Sequence, residues 1–473
     1  MNIQAAIDYD LIEIADPNMA QSRILKASPH LSDIFRPIHY LGSKLRLVTC
    51  IQNIIDELDL SGGYTCDLFA GSGTVSKYLS YTRPVLSVDI QEYSRVLCSA
   101  LLNPSITLAQ AEDFVGRSIK SGHLERLTWA INPLVNYEAS CVRQALEGNP
   151  FSLCELIENG SIYGFEQGFV RLGSTVLNKC FREVIKRLDK INAKKGPEAL
   201  IVRYYGGLYF SYSQALQLDS LRESISQSSE GFKDILLAAL LSTTSEIVNT
   251  VGKQFAQPLR PRKSDGTPKN YIGQRVNRDR SIDIIAAYRK WLNRYLTITK
   301  SQYDNKIYRM DYRDALDMLN DKVKVVYADP PYTRDHYSRF YHVLETICLR
   351  DIPNISTTSI NGKTNISRGV YRKDRHQSPF CIKSKSALAF EDLFMKTRKL
   401  GASLVLSYSP YEKTGGARPR LLTIDELLLL ARRFYTKVSL IPVAEFSHSK
   451  LNCSDKNLDI PQNAESFIIC QVN

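Results

Sequence analysis

The stretch YTCDLFAGSGTVSKYLS, residues 64 to 80, restricts the fold more than any other part of the chain. A short apolar run ends at Asp67, glycines stand at 71 and 73, and helix-forming residues resume at once. That order describes a strand entering a helix through a turn that only glycine crosses without strain, where a ligand can approach the backbone closely. A second apolar run, PVLSVDI, ends at Asp89, and SRVLCSALL reads as the helix after it. Strand, helix, strand and helix in succession predict a parallel sheet with helical crossovers. Asp89 then lies where an acidic residue meets ribose hydroxyls in dinucleotide folds. No G-K-[ST] follows the glycines, so a P-loop is not expected. The ligand expected is an adenosine-type molecule without phosphate chemistry.

The chain of 473 residues divides by pattern. Residues 1–35 show no period and read as an N-terminal extension. Residues 36–115 carry the glycine turn. They include HYLGSKLRL and a helix in which Val48, Ile51, Ile54, Ile55 and Leu58 recur at helical spacing. From 116 to 300 helical stretches dominate, and strand–helix alternation resumes over 301–473. There KVKVVYA and ASLVLSYS read as buried strands, while KVSLIPVAEF and ESFIICQV read as a closing antiparallel pair. The expected fold is α/β, a mostly parallel sheet with an antiparallel closing strand, interrupted by a mostly helical inserted domain.

Composition narrows the class. The longest apolar runs fall short of a membrane span, and the first residues lack the order of a signal peptide. No membrane association and a cytoplasmic, nucleoid-associated location are expected. The ten cysteines form no C-x-x-C pair, so neither metal nor disulfide is expected. A formal net charge of +12 points to a polyanionic partner.

In VVYADPPYTRDHY, residues 325 to 337, a buried strand stops at a carboxylate. A residue before proline is driven to extended backbone, and each proline fixes its own φ. Asp329 is therefore held at the carboxyl end of a strand, where open α/β sheets bind ligands. Pro330 and Pro331 remove two N–H donors. What remains is a carboxylate and a carbonyl beside the flat ring of Tyr332, a setting for a planar group bearing an amine.

DLFAGSGTV with ADPPY, preceded by HYLGSKLRL, resembles the S-adenosylmethionine-dependent N6-adenine DNA methyltransferases. The motif order is that of the alpha class, the DNA adenine methylase (Dam-like) family. The resemblance covers roughly 36–115 and 300–473 and implies a Rossmann-like methyltransferase sheet holding S-adenosyl-L-methionine. The middle region would be a target-recognition domain. Tyr40 and Ser43 stand where the family's motif has Trp and Gly. The resemblance implies that Phe69, Gly71 and Gly73 border the cofactor's methionine part, with Asp67, Tyr40, Gly42 and Lys44 nearby. It also implies that Asp89 binds the ribose, that Ile90 packs on the adenine, and that Asp311 accepts from the adenine amine. Asp314 is the weaker candidate for that acceptor, and Asp311 also reads as a helix N-cap. Asp329, Pro330, Pro331 and Tyr332 would be catalytic, acting by direct transfer to a flipped-out base, with Tyr332 stacking on it.

Two basic runs lie outside the expected core. The first holds Lys253, Arg260, Arg262, Lys263, Arg275, Arg278 and Arg280; the second holds Arg368, Arg372, Lys373 and Arg375. Both favour phosphate contacts with double-stranded DNA. A cognate restriction endonuclease or defence-system proteins are the further expected partners, with the chain a monomer or weak dimer. Competing readings are an RNA adenine or N4-cytosine methyltransferase and a catalytically silent, cofactor-binding DNA adaptor. His336 and His342 read chiefly as structural.

Overall fold

The computed structural model describes residues 34–334, 336–360, 363–409, 420–444 and 463–472. Most of the expected N-terminal extension, together with Asp335, Glu445 and Phe446, lies outside the described residues. Nine strands occur among the described residues: β1 (Tyr64–Asp67), β2 (Val85–Asp89), β3 (Lys306–Arg309), β4 (Val323–Ala328), β5 (Thr357–Ile360), β6 (Lys363–Ile366), β7 (Ser403–Tyr408), β8 (Lys437–Ala444) and β9 (Asn463–Gln471). Seven form one sheet in the order β3-β2-β1-β4-β7-β9-β8, and β5–β6 is a separate antiparallel hairpin. From β3 to β7 every pairing is parallel, with Cys66 opposite both Leu86 and Val326. β9 runs antiparallel to both of its neighbours, which is the expected closing pair.

The alternation along β4 explains why its sequence is apolar from Val325 onward, after the exposed Lys324 near its start. Val325 and Tyr327 face one layer, with the helices Val48–Leu58 and Thr74–Leu79. Val326 and Ala328 face the other, with the helices Tyr312–Met318, Ser386–Leu400 and Ile424–Arg432. A parallel strand covered on both faces has no polar side to show. The chain leaves β1 toward β2 and β3 on one side and returns to β4 and β7 on the other. β1 and β4 therefore flank the switch point at which such sheets bind ligands.

The helical region between Leu108 and Leu296 keeps one small cluster of its own, around Cys141, Leu153, Ile157, Leu259 and Val276, but its main core is shared. Its buried residues merge with Val96, Leu97 and Leu101 of the helix Glu92–Leu102 and with Tyr341, Leu344 and Ile347 around the helix His342–Leu349. Glu345 fastens these two helices together: its carboxylate accepts from the N–H groups of Glu92 and Tyr93, each at 3.0 Å. A carboxylate there satisfies orphan N–H donors at the positive end of the helix dipole. It also ties the segment after Tyr332 to the segment after Asp89, so the two halves of the site share one frame.

Candidate active site

The glycine turn is built as its sequence demands. Gly71 and Gly73 have φ of 54° and 74°, and Gly73 is the N-cap of the helix Thr74–Leu79. A Cβ on Gly71 would lie 2.5 Å from the Tyr40 hydroxyl. The Gly71 N–H donates to Asp89 Oδ2 at 3.0 Å, and the Gln91 N–H donates to Oδ1 at 2.9 Å. Burial pushes the Asp89 carboxyl up, while these backbone bonds draw it back down. Asp67 faces the other way. It is buried, and its Oδ2 accepts from the N–H and hydroxyl of Ser76 at 3.1 and 2.6 Å. Burial raises its pKa to about 7. It staples β1 to the following helix and does not line the cleft beyond the turn.

That cleft opens at the carboxyl ends of β1, β2 and β4 and encloses about 830 Å³, part of it open to solvent. Of the residues singled out by sequence, Tyr40, Phe69, Asp89, Ile90, Asp311, Asp329 and Pro331 line it. Gly42, with φ of 71°, comes near the Tyr337 hydroxyl instead. Asp311 caps the helix Tyr312–Met318 by accepting from the Arg313 N–H at 3.0 Å, as its helix N-cap reading expects, and it also lines the cleft. Asp314 is not among the lining residues. Tyr40 stacks on Tyr341, with centroids 5.0 Å apart and planes 14° from parallel.

Sequence reasoning missed Met310, Tyr337 and His376, which also line the cleft. Burial lowers the His376 pKa, against the nearby charges of Asp311 and Asp89. No local pattern marks His376, because it sits in an irregular basic stretch. Tyr337 and Met310 directly flank recognised motifs and could have been included on adjacency. His342 is buried, its Nε2 donates to the Phe255 carbonyl at 3.2 Å, and burial lowers its pKa to about 3.

Asp329, which lines the cleft, follows β4. Its Oδ2 lies 3.0 Å from Lys44 Nζ, and the same ammonium lies 3.5 Å from Glu465 Oε1 on β9. Burial raises the Asp329 pKa to about 6; Lys44 draws it down and Glu465 raises it further. Burial works against the Lys44 ammonium, but Asp329 and then Glu465 hold its pKa well above the usual range. Tyr332 packs on Tyr408 at 4.7 Å, and the Arg420 guanidinium lies 4.8 Å from the Tyr332 ring centre. Pro331 lines the cleft and accepts from Cys381 Sγ at 3.5 Å, whereas Pro330 is not among the lining residues.

The two basic runs meet. Arg368 donates to the Leu259 carbonyl at 3.1 Å, and Tyr371 donates to Ala256. Arg260, Lys263, Arg278, Arg368 and Lys373 are exposed. Arg375 and Arg339 lie 5.6 and 5.2 Å from the Tyr371 ring centre. Burial and then the neighbouring Arg260 lower the Arg368 pKa. Arg262 pairs with Glu158, Lys253 lies 3.7 Å from Asp279, and Arg275 donates to the Thr250 carbonyl. Two residues correct the expectation of an open basic face. Arg280 is turned inward against Glu138, with side chains 4% and 6% exposed. Arg372, 8% exposed, is clamped by Asp351 at 2.5 Å. Each guanidinium is buried against its own carboxylate, so neither is presented to a ligand.

Residues 40–127 and 284–397 match the family described as D12 class N6 adenine-specific DNA methyltransferase. The chain is 25% identical over 405 residues to modification methylase LlaI of Lactococcus lactis subsp. lactis, covering 84% of this chain and 49% of that protein. It is 23% identical over 381 residues to the type II methyltransferase M.FokI of Planomicrobium okeanokoites, covering 79% and 44%. It is 21% identical over 377 residues to the type II methyltransferase M.NlaIII of Neisseria lactamica, covering 75% and 79%. The chain thus spans about half the length of the first two relatives.

Proposed function

We propose, for a chain whose residues 40–127 and 284–397 match the D12 class N6 adenine-specific DNA methyltransferase family, that the protein moves a methyl group from S-adenosylmethionine to N6 of adenine in DNA. One observation carries the reading. Asp329 and Pro331 line the same cleft as Asp89 and Asp311, so an amine-accepting group and an adenosine-type site open onto one space. The cleft fits that cofactor. Two carboxylates face it from the ends of β2 and β3, and the apolar walls of Phe69, Ile90 and Tyr312 suit a flat base. The net cationic methionine part meets a site rich in carboxylate. When bound, the cofactor supplies a methyl on a sulfonium, which leaves with the C–S electron pair kept by sulfur.

The chain's own groups do the rest. The adenine amine is a weak nucleophile because its lone pair is delocalised into the ring. Asp329 and the Pro330 carbonyl accept its N–H bonds and direct the lone pair at the methyl. Preorganised acceptors lower the barrier as oxyanion donors do, with the sign reversed. Holding the amine in line adds the proximity term. The nitrogen forms its new bond to carbon and releases one proton, for which Asp329 is the adjacent acceptor. Tyr332 stacks on a base flipped from the duplex. The exposed arginines of the joined basic runs hold the phosphates on either side. The type II methyltransferases among the relatives favour a place in restriction–modification. The test is transfer of labelled methyl to unmethylated duplex DNA and to RNA, with the product base identified by mass. N6-methyladenine in DNA is expected. Product on cytosine or confined to RNA would replace this reading with one of its competitors.

A further inference from the structure

Asp329, Lys44 and Glu465 form a buried row of alternating charge. Their side chains are 20%, 6% and 2% exposed, and Lys44 lies within 3.0 Å of one carboxylate and 3.5 Å of the other. The three come from distant places in the chain: the segment before the first helix, the end of β4, and the closing strand β9. Glu465 is anchored independently, accepting from the Ser407 hydroxyl on β7 at 2.7 Å. A single buried lysine facing one carboxylate would be a closed ion pair. Such a pair would hold Asp329 against the ammonium and away from an incoming amine. A second carboxylate, fixed in place on the far side of the same ammonium, changes that balance.

We propose that Glu465 is a positioning residue for methyl transfer. It takes over the Lys44 ammonium when Asp329 turns to the target amine. The proposal rests on the amino-methylation reading above. With Glu465 present, Lys44 keeps a full ionic partner whether or not Asp329 is engaged, so freeing Asp329 strands no buried charge. Stranding one is the costly event in a buried pair. The arrangement also serves the end of the reaction. The methyl carbon leaves sulfur and bonds to N6; one N–H bond breaks, its electron pair stays on nitrogen, and its proton passes to Asp329. The Lys44–Glu465 pair then remains neutral beside a neutral Asp329. Among the described residues, the other ionisable groups around Asp329 include Tyr327 and Tyr332 on its own segment, Asp67 at the end of β1, and Tyr40 across the cleft. None of them is a second carboxylate bonded to the Lys44 ammonium, so none can replace Glu465.

The experiment compares Glu465→Gln, Glu465→Asp, Lys44→Met and the double variant Glu465→Gln/Lys44→Met with the wild type. Single-turnover methyl transfer is followed against pH, and cofactor affinity is measured separately. Removing the negative charge of Glu465 leaves Asp329 as the one carboxylate paired with Lys44 among the described residues. The expected result for Glu465→Gln is a rate loss of roughly tenfold at pH 8, the scale of a lost supporting partner. Its acid limb should move to lower pH, because Glu465 raises the Asp329 pKa. Glu465→Asp should recover part of the rate. In the Lys44→Met background the Glu465→Gln loss should shrink, because the two act through one ion pair. A rate and acid limb unchanged in Glu465→Gln would overturn the proposal, as would a full additive loss in the double variant. A carboxyl NMR titration of Asp329 in the ligand-free protein provides the second readout. It should show a lower pKa in Glu465→Gln, and an unmoved titration contradicts the proposal even if a variant is inactive. Failure of the wild type to methylate DNA adenine, with the titration shift intact, would instead count against the reaction assigned above.

Discussion

Asp329 carries opposing influences in a small space, and its behaviour is a residue-scale test. Burial raises its pKa to about 6, with Lys44 and Glu465 acting in opposite directions. Only the ionised carboxylate offers an amine both acceptor geometry and charge, so activity should require pH above that value. The single-turnover rate should be level above about pH 7 and fall roughly tenfold per unit well below pH 6, following the ionised fraction. A rate flat down to pH 4.5 would separate Asp329 from the chemistry. Gly71 makes a second test. It sits at φ 54° with the Tyr40 ring against its α-carbon. Gly71→Ala adds a methyl where the ring stands, so Tyr40 must move into the cleft. Cofactor affinity should fall, and stability should drop by about 1–3 kcal/mol for the strained backbone. Calorimetric titration and thermal melting read the two effects apart.

At the scale of elements, the strands and the glycine turn were legible because their constraints are local. Asp67 to Gly73 and Asp329 to Tyr332 each announce a strand end by residue type alone, and both sit where the pattern placed them. Which side a carboxylate faces was not local. Asp67 and Asp89 both end strands, yet one turns beneath the loop to Ser76 and the other reaches the cleft. Glu465 had a usable signal, a lone acid entering the apolar strand ESFIIC, but its partner Lys44 lies near the opposite end of the chain. The basic runs show the same limit: charge counts cannot tell Arg260 from Arg280. Arg280 joins the helix Ile272–Arg280 to the helix Gly122–Leu146 through Glu138. Arg280→Ala should therefore cost stability, about 3 kcal/mol for breaking a buried pair. The salt dependence of DNA binding should be untouched. A normal melting temperature with a changed salt slope would return Arg280 to the DNA face.

For the whole molecule, the helical insertion shares a core with the helices Glu92–Leu102 and His342–Leu349, which flank the sheet, so insertion and α/β part pack as one frame. The sequence boundary near 116 and 300 marked a change of pattern and carried no information about shared packing, which depends on how distant helices meet. For the proposed DNA partner, a net charge of +12 and exposed arginines on the joined basic runs predict binding governed by counterion release. Arg260→Ala with Arg368→Ala should reduce the salt slope by about 1.8, near 0.9 for each phosphate no longer neutralised. An unchanged slope would place the DNA elsewhere. In the proposed reaction one cleft joins a cofactor site to an amine-accepting carboxylate, and the Asp329→Ala variant separates the two. Lys44 keeps Glu465 as a partner in that variant, so the fold should hold. The decisive measurement pairs equilibrium S-adenosylmethionine binding with single-turnover methylation of duplex DNA. Affinity close to wild type and a rate lower by roughly a hundred- to a thousandfold are expected, the scale of a deleted transition-state partner. Near-normal turnover would contradict the account.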